Sequence, residues 1–309
     1  MPCGRMRGMD DFEAIAASAV PLTGGYGGET FAVSAGGESA VLKLYGKRPA
    51  RAAVDVSLMR LVRGLLPVPR VLDAMPEPAG DGAPPYVLYE RLPGVNLEIY
   101  LETAGDADRR RVGEQLGELL VRLSGMPFLS FGDFVGRELA IEPFGVGDLE
   151  EFFQAHATEI GLTRDQVDRF ADVIYEVEEL AETGVDRFCL VHSDFNPKNL
   201  LVDPATAELT GLIDWEFAHA GSVYADLGNL LRFTTDPVLA GAVLSAVRAG
   251  FDLGDRLVER AWAADLWALI DLAARPAANP VAAAANALIS RICDTGELAG
   301  GRPDPDVVH

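Results

Sequence analysis

The first ninety residues alternate short apolar runs with polar turns, which is the pattern of a small β-sheet. Apolar runs with the length of short strands occur at 31–33, 41–45, 70–74 and 86–90. Between the second and third runs, residues 51–63 place their apolar side chains at helical spacing, as Val54, Leu58, Leu61 and Val62. Residues 10–18 indicate a further short helix. The pattern therefore predicts an antiparallel sheet with one or two helices.

From residue 106 onward, apolar positions recur mainly at helical spacing. The clearest stripe runs through 106–124, as Val112, Leu116, Leu119, Leu120 and Leu123. Similar spacing predicts helices at 147–160, 164–183, from 226, and at 237–250, 255–273 and 279–293. Thr163 is a plausible N-cap for the second of these. Residues 296–309 are expected to form a loose tail.

Three short apolar runs interrupt the helical part at 189–191, 200–202 and 209–213. We expect them to form strands of one small hairpin-like platform, with a polar loop between the first two. A sheet followed by a helical region with a second small sheet predicts an α+β fold.

Composition excludes several classes of protein. The 309 residues carry a net charge of −21, which disfavours nucleic acids and anionic membranes as partners. The charge favours cationic ligands, and an acidic proteome or solubility explains it equally well. The three cysteines, Cys3, Cys189 and Cys293, are far apart and form no metal-binding pair, so a reduced cytoplasmic setting is expected. No stretch resembles a signal peptide or a membrane span.

Polar residues follow two of these short runs at a spacing typical of phosphoryl transfer. His192-Ser193-Asp194 is followed by four residues and then Asn199, and Asp214 comes directly after the third run. Transfer of phosphate needs a carboxylate to accept the hydroxyl proton and oxygen ligands for Mg²⁺. The kinase template supplies them from His-x-Asp, Asn and a later Asp. The spacing therefore predicts Asp194 as the catalytic base, with Asn199 and Asp214 as Mg²⁺ ligands.

A purely structural role for these residues is the alternative. Acidic residues are abundant in the chain, so an isolated Asp means little, but only six residues are Asn. Asn199 at template spacing between the two acids therefore favours the functional interpretation. A pseudokinase that keeps the motif without catalysis is the remaining possibility.

The segments HSDFNPKNLLVD (192–203) and IDWE (213–216) resemble the aminoglycoside phosphotransferase and choline kinase-like group. Ser193 stands where that group usually has Gly. The resemblance extends from about residue 21 to about residue 272. It implies a bilobal protein-kinase-like fold, with a small antiparallel-sheet lobe at 1–93 and a larger, mainly helical lobe at 94–309.

The resemblance also implies a nucleotide site in the smaller lobe. Its residues would be the glycine-rich loop with Gly25, Gly27 and Gly28, the strand lysine Lys43, the helix acid Asp55 that would orient Lys43, and Glu90 and Leu92 near the adenine-binding hinge. The loop alone is as well explained by a tight turn. Lys43 lies in the middle of an apolar strand, where a cation is costly without a partner, so it strengthens the prediction.

The acceptor would bind on the larger lobe. Candidates are Glu151 at the start of one helix, and Trp262 and Asp265, which share a face of another. Acids beside aromatic residues suit an amine-bearing or sugar-like molecule. Packing of the tryptophan and helix-dipole stabilisation by the acid are the alternatives. His192 is expected to brace the catalytic loop, and Asp226 to support it or simply to begin a helix.

These observations predict a small-molecule kinase that uses ATP or GTP with Mg²⁺. The expected acceptor is an aminoglycoside or another cationic antibiotic. A metabolic acceptor such as choline, homoserine or a sugar is the enzymatic alternative, and a non-catalytic nucleotide-binding pseudokinase is the other. No nucleic acid, membrane or obligate protein partner is expected.

Overall fold

A computed structural model describes residues 19–22, 29–35, 37–78, 83–145, 147–182, 187–276 and 278–302. Within them the strands are β1 (Val20–Pro21), β2 (Glu29–Ala35), β3 (Glu38–Leu44), β4 (Val71–Met75), β5 (Tyr86–Glu90), β6 (Val95–Asn96), β7 (Pro127–Phe128), β8 (Gly132–Val135), β9 (Ala140–Glu142), β10 (Phe188–Val191), β11 (Leu200–Asp203), β12 (Glu208–Leu212) and β13 (His219–Ser222). The helices are α1 (Arg51–Val62), α2 (Leu97–Leu101), α3 (Asp106–Ser124), α4 (Leu149–Ile160), α5 (Arg164–Glu182), α6 (Ala225–Leu231), α7 (Pro237–Gly250), α8 (Leu257–Ala273) and α9 (Pro280–Thr295). The helix predicted at 10–18 and the glycines at 25, 27 and 28 lie outside the described residues.

The chain divides into two compact units. The first unit contains Met1–Thr103, Asp133–Glu142 and Pro197–Ala218. The second unit contains Ala104–Gly132, Pro143–Asn196 and His219–His309. Each unit groups segments that lie close together in space, including segments far apart in the sequence. The predicted lobe boundary near Pro93 stays a prediction.

The first unit is built on an antiparallel sheet in the order β1-β2-β3-β5-β4. Alternate side chains of β2, β3 and β5 form an apolar cluster, made of Val33, Ala40, Leu42 and Leu88. Lys43 lies in the central strand β3, opposite Thr30 of β2 and Val87 of β5. The predicted strands and the helix over 51–63 are therefore confirmed, since β2, β3, β4, β5 and α1 occupy these positions.

A second small sheet in the first unit positions Asn199, which precedes β11, and Asp214, which follows β12. Strands β11 and β12 form an antiparallel hairpin, and β6 pairs with the other edge of β11. The prediction of one platform from three runs was wrong. Strand β10 pairs instead with β7 and β13, because its backbone partners come from segments distant in the sequence.

The second unit is mainly helical. Helices α4, α5, α8 and α9 bury a common apolar core that includes Phe153, Phe170, Leu266 and Leu288. Helix α5 begins with a reciprocal cap. The backbone N–H of Gln166 donates to the Thr163 hydroxyl, and the backbone N–H and hydroxyl of Thr163 both donate to Oε1 of the Gln166 side chain. The predicted helices are confirmed with end shifts of one or two residues, as the apolar stripes require.

Helices α3 and α7 pack through small residues. A Cβ atom added to Gly113 would lie 2.7 Å from the Ala242 Cβ, and one added to Gly117 would lie 2.6 Å from the Ala246 Cβ. The backbones of the two helices therefore approach closely along this seam.

The predicted α+β class is confirmed, with an antiparallel sheet in the N-terminal part and helices dominating the C-terminal part. Among the residues that the structure describes, no helix combines the length and the apolar character that a membrane crossing requires.

Candidate active site

Lys43 and Asp214 form an ion pair in the first unit. The Lys43 ammonium donates to Asp214 Oδ1 at 3.0 Å and lies 3.9 Å from Glu216 Oε2. Lys43 is only 9% exposed, whereas the Asp214 side chain is 24% exposed, so the lysine is shielded from water and the carboxylate stays partly accessible. The sheet thus directs its central lysine towards the acids that follow β12.

The charges at this cluster influence one another. Burial lowers the pKa of Lys43, but the carboxylates of Asp214, Asp55 and Glu216 outweigh this effect and leave the pKa raised. Burial raises the pKa of Glu216, and the nearby charge of Asp214 adds to the increase, while Lys43 opposes it. Lys43 is therefore firmly protonated near neutral pH.

Asn199 lies beside Asp214 because of the β11–β12 hairpin. The two strands pair Leu200 with Leu212, and the amide of Ile213 donates to the Asn199 carbonyl at 2.9 Å. Asn199 and Asp214 therefore flank the same end of the hairpin. Asp214 has a φ of +63°, a left-handed conformation unusual for a residue with a side chain.

The donor atoms of Asn199 and Asp214 fit a hard divalent cation. Both side chains offer oxygen, which Mg²⁺ prefers over nitrogen or sulphur. Among the described residues, no group of three or more His, Cys, Asp and Glu side chains is arranged to hold a metal. One or two protein oxygens suit Mg²⁺ that is completed by phosphates and water. The residues therefore fit a nucleotide-associated magnesium ion.

Asp194 lies in a tightly bonded loop of the second unit. The buried carboxylate of Asp226 accepts the backbone N–H groups of His192 and Ser193, each at 2.8 Å. Asn196 Nδ2 donates to Asp194 Oδ1 at 2.6 Å. The backbone N–H of Asp194 donates to His192 Nδ1 at 3.3 Å, which assigns the proton of the neutral ring to Nε2. Asp226 and His192 thus support the loop, as expected.

The buried environment of Asp226 raises the pKa of its carboxyl group. Burial raises the pKa of Asp226 from 3.8 to about 7, and the two backbone bonds oppose the increase. The negative charge of Asp194 contributes to the higher pKa. The carboxyl that supports the loop therefore titrates near neutral pH.

The family of the chain follows from its sequence. Residues 18–266 match the phosphotransferase enzyme family APH. The chain belongs to this phosphotransferase family. The resemblance to phosphotransferases is therefore confirmed. Membership of this family also confirms the prediction that the chain is a phosphotransferase enzyme.

Solved structures support the phosphotransferase fold. The crystal structure of aminoglycoside phosphotransferase APH(4)-Ia matches with a TM-score of 0.67 and 21% identity, covering 96% of this chain and 97% of that chain. A thermostable mutant of the same enzyme, in a ternary complex with ADP and hygromycin B, matches with a TM-score of 0.65 and 20% identity, covering 96% and 98%. The GDP complex of an aminoglycoside 2'-phosphotransferase-IIIa mutant matches with a TM-score of 0.63 and 18% identity, covering 90% and 91%. At these identities the likeness shows a shared fold.

Asp55 of the phosphotransferase lies in a buried network behind Lys43. Tyr45 donates to Asp55 Oδ2 at 2.6 Å, and Arg51 Nε donates to Asp55 Oδ1 at 2.8 Å. The hydroxyls of Tyr45 and Tyr89 are 3.1 Å apart. Lys43 directs its hydrogen bond to Asp214, so Asp55 influences the lysine as a nearby charge. The orienting role of Asp55 stays a prediction.

The predicted hinge residues follow β5. The Glu90 amide donates to the Arg70 carbonyl at 2.9 Å, and the Glu90 carboxylate bonds the Arg70 guanidinium. Leu92 packs on β12, where a Cβ added to Gly211 would lie 2.7 Å from Leu92 Cδ1. Thr210 donates to the Pro93 carbonyl at 2.6 Å. The adenine contacts of Glu90 and Leu92 stay a prediction.

The predicted acceptor residues have different surroundings within the second unit. Asp265 is buried in a two-bond ion pair with Arg232, at 2.5 and 2.7 Å. Trp262 is buried, and the Arg302 guanidinium lies 4.2 Å from the centre of its ring. Glu151 is exposed in the first turn of α4, where its amide is capped by Asp148. This packing favours the structural alternative for Trp262 and Asp265, while Glu151 remains accessible.

Sequence reasoning missed two polar residues of the phosphotransferase. Asn196, one of the six asparagines, lies two positions after Asp194 and bonds its carboxylate. Arg51 lies one helical turn before Asp55 and contacts two backbone carbonyls downstream of Asp214. The scarcity of Asn was a usable signal for the first residue. Helical i,i+4 spacing to Asp55 was the corresponding signal for the second.

Proposed function

We propose that this phosphotransferase moves the γ-phosphate of a nucleoside triphosphate to a hydroxyl of an aminoglycoside or another cationic antibiotic. The observation that carries the proposal is the ion pair between the buried Lys43 and Asp214, beside Asn199 at the end of the β11–β12 hairpin. A cation able to meet phosphate and two oxygen donors able to meet Mg²⁺ are the fixed components that phosphoryl transfer requires.

In this proposal, Lys43 binds the phosphates of ATP or GTP through its ammonium group. Asn199 and Asp214 hold Mg²⁺, which when bound neutralises charge on the phosphates and orients them. Glycines 25, 27 and 28 and residues 90 and 92 contribute the remaining nucleotide contacts. The pairing of Lys43 with Asp214 keeps the lysine charged and in place until phosphate replaces the carboxylate as its partner.

Asp194 acts as the base. It accepts the proton of the acceptor hydroxyl as the new oxygen–phosphorus bond forms and the bond to the leaving diphosphate breaks. Asn196 holds one oxygen of this carboxylate, and Asp226 fixes the preceding backbone. These bonds restrict the rotation of Asp194 and support a defined direction of proton transfer.

The choice of acceptor is supported by charge and by the relatives. A net charge of −21 favours the approach of a polycation. The APH(4)-Ia mutant structure contains hygromycin B. Glu151 is exposed at the start of α4 and is available to a positively charged ligand. The proposal includes antibiotic resistance as the biological consequence and the cytoplasm as the location.

The test is nucleotide turnover with a panel of acceptors. We expect aminoglycosides to stimulate ADP or GDP release in the presence of Mg²⁺, and a bacterial host expressing the chain to tolerate the reactive compound. The Asp194→Asn variant should lose at least about 100-fold in kcat, because the amide accepts no proton. Asp203→Asn is the matched control and should retain activity, because Asp203 is the last residue of β11 and its side chain accepts from the Ala205 backbone amide in the turn to β12.

The alternatives predict different outcomes of the same assay. Stimulation only by choline, homoserine or a sugar would identify a metabolic kinase. Nucleotide binding without stimulation by any acceptor, and without an effect of Asp194→Asn, would indicate a pseudokinase. Either result would contradict the antibiotic proposal.

A further inference from the structure

Arg51 is a buried arginine whose bonds reach beyond its own helix. It begins α1 and is only 5% exposed. Its Nε donates to Asp55 at 2.8 Å, and its Nη1 donates to Asp133 at 3.3 Å. Its Nη2 donates to the Trp215 carbonyl at 2.6 Å and to the Ala218 carbonyl at 3.1 Å. All of these partners belong to the first unit.

The two carbonyl bonds are not needed for neutralising the arginine. Asp55 already supplies a buried carboxylate at hydrogen-bonding distance. The carbonyls instead belong to the segment immediately after Asp214. The Ala218 amide also donates to the Trp215 carbonyl at 3.0 Å, and the Trp215 indole donates to the Leu212 carbonyl at 3.1 Å. Arg51 therefore binds both ends of the turn that runs from Trp215 to Ala218.

This turn follows a residue in an unfavourable backbone conformation. Asp214 has a φ of +63°, and a non-glycine residue remains there only where its surroundings impose it. The carbonyl that Arg51 holds most closely belongs to the next residue, Trp215. Tyr45 and Arg51 together engage both oxygens of Asp55, so the guanidinium is itself held in place.

We propose that Arg51 is a positioning residue for the magnesium-binding turn: through the carbonyls of Trp215 and Ala218 it maintains the backbone that presents Asp214. The inference rests on the proposed use of Asp214 as a metal ligand. It assigns to the first helix a link to the metal turn that runs through an arginine and backbone carbonyls.

The geometry explains why arginine occupies this position. A guanidinium presents five donors in a rigid plane and reaches two carboxylates and two carbonyls at once. An ammonium is a single point with three donors and a shorter reach. Arg51→Lys therefore keeps the charge beside Asp55 and loses at least one carbonyl bond.

Arg51→Lys is the principal variant, and two measurements are made on it. The first is the Mg²⁺ dissociation constant at a saturating concentration of a non-hydrolysable ATP analogue. We expect it to rise about tenfold, the typical effect of removing a group that orients a metal ligand. The second is hydrogen exchange of the backbone amides of 213–219 in protein without Mg²⁺ or nucleotide, which we expect to become faster.

Arg260→Lys is the matched control. Arg260 is also a buried helical arginine that donates to two backbone carbonyls, those of Asp255 and Leu180, at 2.9 and 2.6 Å. It belongs to the second unit. Arg260→Lys should change the melting temperature without changing the Mg²⁺ constant or the exchange of 213–219.

Asp133→Asn is the milder second variant, for use if Arg51→Lys does not fold. It removes the carboxylate that holds Nη1 of Arg51, so the guanidinium is held less firmly against the Trp215 and Ala218 carbonyls. A rise of about twofold to threefold in the Mg²⁺ constant is expected, below the rise of about tenfold expected for Arg51→Lys. Unchanged Mg²⁺ binding and unchanged exchange in the folded variants would overturn the inference. If the wild-type protein transfers no phosphate, the proposed function fails, whereas faster exchange at 213–219 would still support the Arg51 link to the turn.

Discussion

Ser193 and Asp214 both adopt left-handed backbone conformations, with φ values of +67° and +63°. One precedes the proposed base, and the other is the proposed metal ligand. Such conformations are costly for residues with a side chain and concentrate at functional positions. The left-handed φ also explains why glycine is usual in place of Ser193 in the aminoglycoside phosphotransferase group, because glycine reaches this region without steric cost.

Replacing Ser193 by glycine should stabilise the protein. The left-handed conformation costs a serine about 1–2 kcal/mol, and the greater freedom of glycine in the unfolded chain offsets about 0.4–1 kcal/mol of that gain. We expect Ser193→Gly to raise the melting temperature by roughly 2 °C, measured by calorimetry. Ser39→Gly, in the exposed part of β3, should lower it instead. A lower melting temperature for Ser193→Gly would contradict the strain argument.

The residues predicted from the sequence differ in kind from those that it did not indicate. Asn199 and Asp214 were predicted from a fixed spacing within one chain segment, and the structure places both at one end of a hairpin. Arg51 was missed because it bonds backbone carbonyls 164 and 167 positions away, and a carbonyl has no sequence signature. Local spacing therefore indicates which side chains lie near one another, whereas hydrogen bonds to a distant backbone require the fold.

Helices and strands also differed in how well their sequence predicted them. Helix α3 occupies the predicted range 106–124. The spacing of its apolar residues lies within the helix itself, so the sequence of that segment is enough to predict it. The pairing of β10 with β7 and β13 was missed, since strand partners are chosen across long separations. Element type was therefore accessible from the sequence, and the arrangement of the short strands was not.

The glycine seam between α3 and α7 should be intolerant of a single methyl group. An added Cβ at Gly117 would lie 2.6 Å from the Ala246 Cβ and 2.7 Å from the Val243 carbonyl oxygen, so the helices must separate. We expect Gly117→Ala to lower the free energy of unfolding by about 1–3 kcal/mol, measured by urea denaturation.

Gly241, in α7, provides the control for this seam. A Cβ there would meet nothing within 4 Å, so Gly241→Ala should gain about 0.5–1 kcal/mol from helix propensity. Equal effects of the two substitutions would show that close packing does not govern this helix pair.

At the scale of the whole molecule, the chain combines a net charge of −21 with a buried acid, Asp226, beside the loop that carries Asp194. The pKa of Asp226 is raised by burial from 3.8 to about 7. A raised pKa means that the folded protein binds this proton more tightly than the unfolded chain. The resulting stabilisation is fully present below about pH 4 and is lost as the pH rises through about 7.

The free energy of unfolding should therefore fall more steeply with pH in the wild type than in Asp226→Asn. The difference between the two proteins should change by on the order of 4 kcal/mol between pH 4 and pH 8. Urea denaturation at several pH values measures it, and the comparison cancels the titration of the other acids. Parallel pH profiles for the two proteins would contradict a perturbed Asp226.

The first unit is assembled from three separate pieces of the chain, ending with Pro197–Ala218. During synthesis, its N-terminal 103 residues leave the ribosome long before the hairpin that bears Asn199 and Asp214 has been translated. The first unit therefore stays incomplete until residue 218 emerges, and Lys43 in β3 meanwhile has no Asp214 to neutralise its charge. A gene fragment that stops at residue 103 would for the same reason yield a sheet without the hairpin that carries the proposed metal ligands, so the two units are not separable by truncation.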